Sequence, residues 1–381
     1  MKLSLPATIL FRAIAIGLAC LSPAVAVAAS ADLIKAKREA EAKGFIFEVN
    51  HDIIVEQAKK EGGTIRVISS LEPAVFPHMI ASFNKKYPFL RATMTETTGG
   101  EESAQLILTV KRGGIPEFDL SHVSGASYDE WMPHGKKFDI RGMAGHGILG
   151  IPPKMADPKN QYVVVLSHHV MVVAFNKSLI SSDKLPSTWE GFLRPEFKDQ
   201  KFIVDLRPTL FVAFAACPEA GMGEEWMVNF AKKISAQNPV IMKGHPRALT
   251  SIVAGEHAVH SGTMYNNVLR IQKKDPQKVL DYKIVEPVPV RSTEPQMVLA
   301  RARNPYSALL FLEHEASREG QAVIDEYEPV KASIYSPGSA PARLVEGKRV
   351  CVGTDADYAT VARRTEMAIK ALGFPRAEEN K

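Results

Sequence analysis

A run of aliphatic and β-branched residues from Tyr162 to Phe175, broken only by Ser167-His168-His169, constrains the fold more than any other stretch of this chain. Side chains branched at Cβ favour extended backbone. Ordinary strands run about 5–6 residues, so this run is too long for one domain and predicts a segment that leaves one lobe and enters a second. A return crossing is predicted at Tyr282 to Val290, where Pro287 and Pro289 forbid helix. Two crossings make a hinge.

The chain before the first crossing alternates strand and helix. Charged residues from Ala31 to Lys43 predict a solvated helical leader. A second helix, His51 to Glu61, stops at Gly62-Gly63. Thr64 to Ile68 reads as a buried strand, Ser69 to Pro73 as a polar loop, and Ala74 to Lys86 as a helix. Arg91 to Thr95 is the next strand, Thr97 to Glu101 a turn, Ser103 to Arg112 a helix, and Asp119 to Val123 a strand. Such repeats imply an α/β fold whose sheet is parallel or mixed, flanked by helices, with its ligand crevice at the carboxyl ends of the strands. Beyond the second crossing, Met297 to Ala300 reads as a strand, and Pro305 to His314 and Ser317 to Tyr327 as amphipathic helices. The loop from Lys136 to Asn160, rich in Gly and Pro, is expected at the surface. The resulting plan is a signal peptide over 1–28, a leader over 29–63, lobe 1 from 64–168 and 286–381, and lobe 2 from 169–285.

Lys2 and Arg12, the apolar stretch Ala13 to Leu21 and the small residues Ala24 to Ala28 form a secretory signal, which places the mature chain in the periplasm. Losing Lys2 and Arg12 lowers the formal charge from +5 to +3. That mild excess does not suggest a nucleic-acid groove, which needs clustered Lys and Arg, and it leaves room for an anionic small ligand. Cys217 and Cys351 remain after cleavage. They could pair in an oxidising compartment, but spacing says nothing of proximity, and two separate buried thiols are expected.

Catalytic motifs fail on inspection. Gly145-His146-Gly147-Ile148-Leu149-Gly150 fits G-x-G-x-x-G as a string, but Ile151-Pro152-Pro153 prevents the helix that a dinucleotide site requires. His314-Glu315 begins a zinc-protease motif, with Arg318 where the second histidine must stand, and reads as a helix surface pair. Ser181-Ser182-Asp183-Lys184 lacks its companion motifs, and no G-x-S-x-G elbow occurs. No enzyme activity, cofactor or resident metal is therefore expected. Of His168 and His169, adjacent on an extended segment, at most one can face a cleft. Tyr265 follows a short strand and is placed either in the cleft or in packing. Arg207 and Arg247, both at expected loop positions, could present a guanidinium fork to an anion.

In order, these features resemble the periplasmic solute-binding proteins of ABC importers, type 2, the group that includes ferric-iron binders and relatives for phosphorylated or phosphonate ligands. The resemblance is carried by Glu61-Gly62-Gly63-Thr64-Ile65-Arg66-Val67 with Ser69-Ser70, by Phe83-Asn84-Lys85-Lys86-Tyr87-Pro88, and by Leu185-Pro186-Ser187-Thr188-Trp189 through Phe192 and Phe197-Lys198. Val253-Ala254-Gly255-Glu256, Asn304-Pro305 and Ser317-Arg318-Glu319-Gly320-Gln321 complete it. It implies a two-lobed fold, each lobe a mixed sheet flanked by helices, joined by two hinge strands. Its partners would be a small solute and a permease of the inner membrane, with the receptor acting as a monomer. The alternatives in the same family are a ferric-iron receptor and a ligand sensor for a membrane kinase.

For the ferric binders the resemblance implies two adjacent tyrosines, carboxylates, sometimes a histidine, and a bound anion. Placing Tyr265 on the second tyrosine leaves Met264 on the first, and Met is too soft a donor for ferric iron. Only if the ligand is ferric iron is Tyr265 a metal ligand. The site expected instead holds an anionic oxygen group on Ser69, Ser70, Gly100, Glu101 and Ser124 of lobe 1. His168 at the crossing and Arg207, Arg247, Thr263 and Tyr265 of lobe 2 complete it.

Overall fold

The computed structural model describes residues 30–97, 101–114, 117–353 and 358–374. Residues 1–28, expected to be a signal sequence, and Gly100 lie outside them. The strands are β1 (Thr64–Ser69), β2 (Arg91–Glu96), β3 (Leu120–His122), β4 (Val164–Asn176), β5 (Ile203–Asp205), β6 (Val240–Met242), β7 (Val259–Met264), β8 (Leu280–Lys283), β9 (Val288–Val298) and β10 (Val350–Gly353). Among the described residues they form one continuous hydrogen-bonded path in the order β2-β1-β3-β9-β4-β7-β5-β6, with β10 on β9 and β8 on β4.

The long apolar run is β4, buried along nearly all of its length. Its first half pairs antiparallel with β9 from Val164↔Gln296 to Val170↔Val290, and its second half pairs with β7 and β8. The β4 and β9 pair thus carries the chain between two parallel groups, β2-β1-β3 on one side and β7-β5-β6 on the other, and its antiparallel pairing with β3 and β7 makes each lobe's sheet mixed. The return crossing lies later than the sequence suggested. Tyr282 belongs to β8, inside the second lobe, and β9 runs unbroken through Met297. Prolines obscured this, yet Pro289 and Pro295 both hold places in the β9 ladders.

Each lobe has its own core. The first gathers Ile65 and Val67 of β1, Phe83 of the helix Phe76–Lys86, and Leu309, Phe311 and Leu312 of the helix Pro305–Ala316. The helix His51–Glu61 packs against Pro305–Ala316. Its start is capped by Asn50, which accepts the Asp52 N–H at 2.9 Å, and its end by Gly62 at φ 58°, a conformation glycine adopts without steric cost. The second lobe's cores hold Trp189, Phe192, Phe202 and Phe214 on one face of its sheet and Val172, Leu249 and Ile252 on the other. No helix among the described residues is long and apolar enough to cross a membrane.

Four local expectations are corrected. The segment 136–160 is not a surface loop, because Phe138, Ile140, Met143, Ile148, Leu149, Ile151 and Met155 are buried in the first core; its Gly and Pro content masked those aliphatic positions. His314 and Glu315 are both fully buried rather than a surface pair, since the helix that carries them is enclosed on all sides. The final helix, Tyr358–Leu372, expected on lobe 1, instead sets Ala368 and Leu372 into the second core, against the helices Thr209–Ala215 and Glu224–Ala236. Cys217 and Cys351 are disulfide-bonded, with Cα atoms 5.5 Å apart. Parallel pairing of β10 on β9 brings Cys351 beside the end of Thr209–Ala215, a proximity that a separation of 134 residues conceals.

Candidate functional site

The lobe 1 wall of the cleft forms where β1 ends. Ser69 is buried and Ser70 half-buried, and both are committed to Glu294 of β9. The Glu294 carboxylate accepts the Ser69 hydroxyl at 2.9 Å, the Ser70 N–H at 2.9 Å, the Ser70 hydroxyl, and Gln296 Nε2 at 3.2 Å. His122 Nδ1 stands 3.4 Å from Oε1. Burial pushes this carboxyl up, but His122, the Ser70 hydrogen bond and Lys331 outweigh it and hold Glu294 well below the usual carboxylate range. Its backbone has φ 57°, a conformation that costs a residue with a Cβ about 1–2 kcal/mol. Behind it, Glu315 is fully buried, and burial together with the Glu294 charge pushes it well above the usual range, so Glu315 is the neutral acid. Gln296 neighbours both.

The hinge places the two histidines differently. His168 is 1% exposed and meets Tyr335 edge-on, with ring centroids 5.1 Å apart, and burial pushes it down to about 3. It packs in the hinge interior rather than facing the cleft. His169 approaches the lobe 2 wall, its Nδ1 2.9 Å from Met264 Sδ.

On lobe 2, Tyr265 follows β7 directly and opens the helix Tyr265–Gln272. Its hydroxyl lies 3.2 Å from that of Tyr282, and burial pushes the phenol up. Thr263 is fully buried in the sheet, opposite Val172, and does not line the cleft. Arg207, after β5, grips Asp205 with Nε at 3.1 Å and Nη2 at 3.0 Å while its side chain is half exposed. Arg247 is not on a loop, because the helix His245–Val253 begins two residues before it, and it is exposed. A small recess lies between Asp205, Arg207, Thr209, His245, Ser261 and Gly262. Among the described residues, Asp205, His245 and His260 are the group with metal-ligating atoms all within 4.8 Å of one another. On lobe 1, Ser124 caps a single turn, 125–127, and is half-buried, while Glu101 opens the helix Glu101–Lys111.

An ion pair spans the lobes: Arg270 Nη2 meets Glu72 Oε1 at 3.3 Å. The Glu72 N–H is in turn held by Glu328, which pairs with Lys331 at 2.6 Å. Sequence motifs point to Ser69, Ser70 and Tyr265 but not to Glu294, His122, Glu72 or Arg270, which the fold brings to the same walls. Glu294 carries no local motif, and its partners Ser69, Ser70 and His122 lie more than 150 residues away in the chain.

Solved structures share this architecture, three of which follow. Trichodesmium FutA in complex with iron and citrate is 16% identical, with TM-score 0.62 over 82% of this chain and 98% of that one. Mannheimia haemolytica ferric iron-binding protein A, in an open conformation, is 16% identical with TM-score 0.61 over 82% and 98%. The substrate-binding protein of an ABC transporter from Agrobacterium tumefaciens is 16% identical with TM-score 0.52 over 82% and 96%. At such identity the likeness establishes the two-lobed fold alone. Among proteins of curated function none matches this sequence. Residues 149–358, more than half of the chain, match the family model described as bacterial extracellular solute-binding protein, and the chain belongs to that family.

Proposed function

We propose that this protein is the periplasmic receptor of an ABC importer, closing its two lobes around one small anionic solute and delivering it to a membrane permease. The observation that carries the reading is the β4 and β9 pair, which sets the carboxyl end of β1 opposite the carboxyl end of β7 across a hinge. Two lobes joined by such strands can close on a ligand, and only a solute that contacts the closed form better than the open one drives closure. The Arg270–Glu72 pair marks where the walls meet. Ser70, Ser124 and Tyr265 would orient the solute, while the Arg207 guanidinium is held by Asp205.

An organic anion fits these walls better than bare ferric iron. Met264 occupies the position beside Tyr265 and is engaged by His169, and the Tyr265 phenol holds its proton strongly in this setting. The test is thermal unfolding of the mature protein against ferric citrate, phosphate, phosphonates, sugar phosphates and carboxylates. A solute at 100 times its dissociation constant adds about 2.7 kcal/mol. Stabilisation by an organic anion and not by iron is the expected result; stabilisation by ferric iron alone, with a tyrosinate charge-transfer band, would overturn the choice of solute.

A further inference from the structure

We propose that Asp205, His245 and His260 bind one divalent transition-metal ion of the zinc class inside lobe 2, at a site separate from the solute cleft and independent of the solute's identity. Three elements converge there. β5 and β7 are parallel neighbours with Ile203 opposite His260, and Asp205 follows two residues later on the same face of β5. His245 is the first residue of the helix His245–Val253, entered through Gly244 at φ 99°. All three side chains are buried.

The spacing suits a metal. His245 Nδ1 lies 3.2 Å from Asp205 Oδ2 and 3.3 Å from His260 Nε2. Ligands about 2.0–2.1 Å from a tetrahedral zinc stand about 3.3 Å from one another. The Ile203 carbonyl is a backbone partner of the His260 ring, the Gly262 N–H stands 3.4 Å from its Nδ1, and its Nε2 faces His245. A cation between the three facing atoms would satisfy all of them at once.

The surroundings match what a metal site needs. Ligating histidines commonly give their second ring N–H to a backbone carbonyl, and ligating carboxylates are themselves hydrogen-bonded. Arg207 supplies the latter through its backbone N–H at 2.7 Å and its guanidinium. The recess beside Asp205 and His245, walled by Thr209, Ser261 and Gly262, provides an approach and room for a fourth ligand such as water. Two imidazoles and a carboxylate are a donor set for zinc or cobalt rather than for calcium or magnesium, which prefer oxygen.

The experiment titrates untagged, chelator-treated mature protein with Co²⁺ and follows the visible d–d bands, then displaces Co²⁺ with Zn²⁺. One equivalent of cobalt with the strong bands of a tetrahedral nitrogen and oxygen site is the expected result. His245→Gln and His260→Gln, checked for fold by circular dichroism, should each weaken binding at least 100-fold while leaving the solute-induced thermal shift intact. Absence of stoichiometric cobalt binding in the parent protein overturns the site without recourse to any variant. Binding that survives both substitutions places the metal elsewhere and overturns it equally.

Discussion

Glu294 Oε1 accepts the Ser70 N–H at 2.9 Å, so the loop that closes β1 is held to the middle of the returning hinge strand. The same carboxylate faces His122 and both serine hydroxyls and sits at φ 57°. Strain of this kind persists where surrounding contacts impose it. Here the contacts join the cleft wall to the hinge.

Glu294→Gln should destabilise the protein by about 2–4 kcal/mol, because a buried charge shared by four donors is lost and His122 is left without its anion. Urea unfolding of the two proteins measures it. A change below about 0.5 kcal/mol would show that this network contributes nothing net.

Glu315→Gln should do the reverse and stabilise. The folded protein keeps Glu315 protonated while the unfolded chain ionises it above its ordinary value of 4.5. The unfolded state therefore binds fewer protons, and the parent loses stability as pH rises through that range, by up to about 1.4 kcal/mol per unit. Melting temperatures from pH 5 to 8 should separate the variant upward from the parent by an increasing margin; parallel curves would refute the neutral assignment.

His168 contributes to acid lability. Its folded value is about 3 against 6.5 unfolded, so the unfolded state binds more protons between those limits. Its contribution is undiminished above 6.5 and falls as pH drops towards 3, by about 2 kcal/mol at pH 5. His168→Phe keeps a ring against Tyr335 and removes the titration. The slope of stability against pH from 7 to 5 should be shallower in the variant, with the remainder carried by His169 and His260, both also lowered to about 3 by burial.

Replacing Cys217 and Cys351 together by serine should cost about 3–5 kcal/mol, since the bond closes a long loop in the unfolded chain. Both residues are at most 1% exposed. Equal unfolding midpoints for parent and double variant, each under non-reducing conditions, would contradict the bond's presence.

Tyr265→Ala should weaken solute binding without unfolding lobe 2. The side chain is only half-buried, and its ring contact is with Tyr282 rather than with the aromatic core around Trp189 and Phe214. Titration calorimetry with the stabilising solute reads the effect, and unchanged affinity removes Tyr265 from the site.

What the sequence determined by itself was local. The apolar run of β4, the strand and helix alternation from Thr64 to His122, and the helices Pro305–Ala316 and Arg318–Tyr327 were legible because residues two to four apart already decide which face of a strand or helix is buried. The two-lobed class followed from one strand too long for one lobe. What the tertiary structure decided was every contact that the crossings bring together: Ser70 with Glu294, 224 residues apart, Cys217 with Cys351, and Asp205 with His245 and His260. No periodicity encodes those meetings. They depend on which strands become neighbours and in what register, and on a carboxylate held at φ 57° in mid-strand, and these are settled only when both cores have packed.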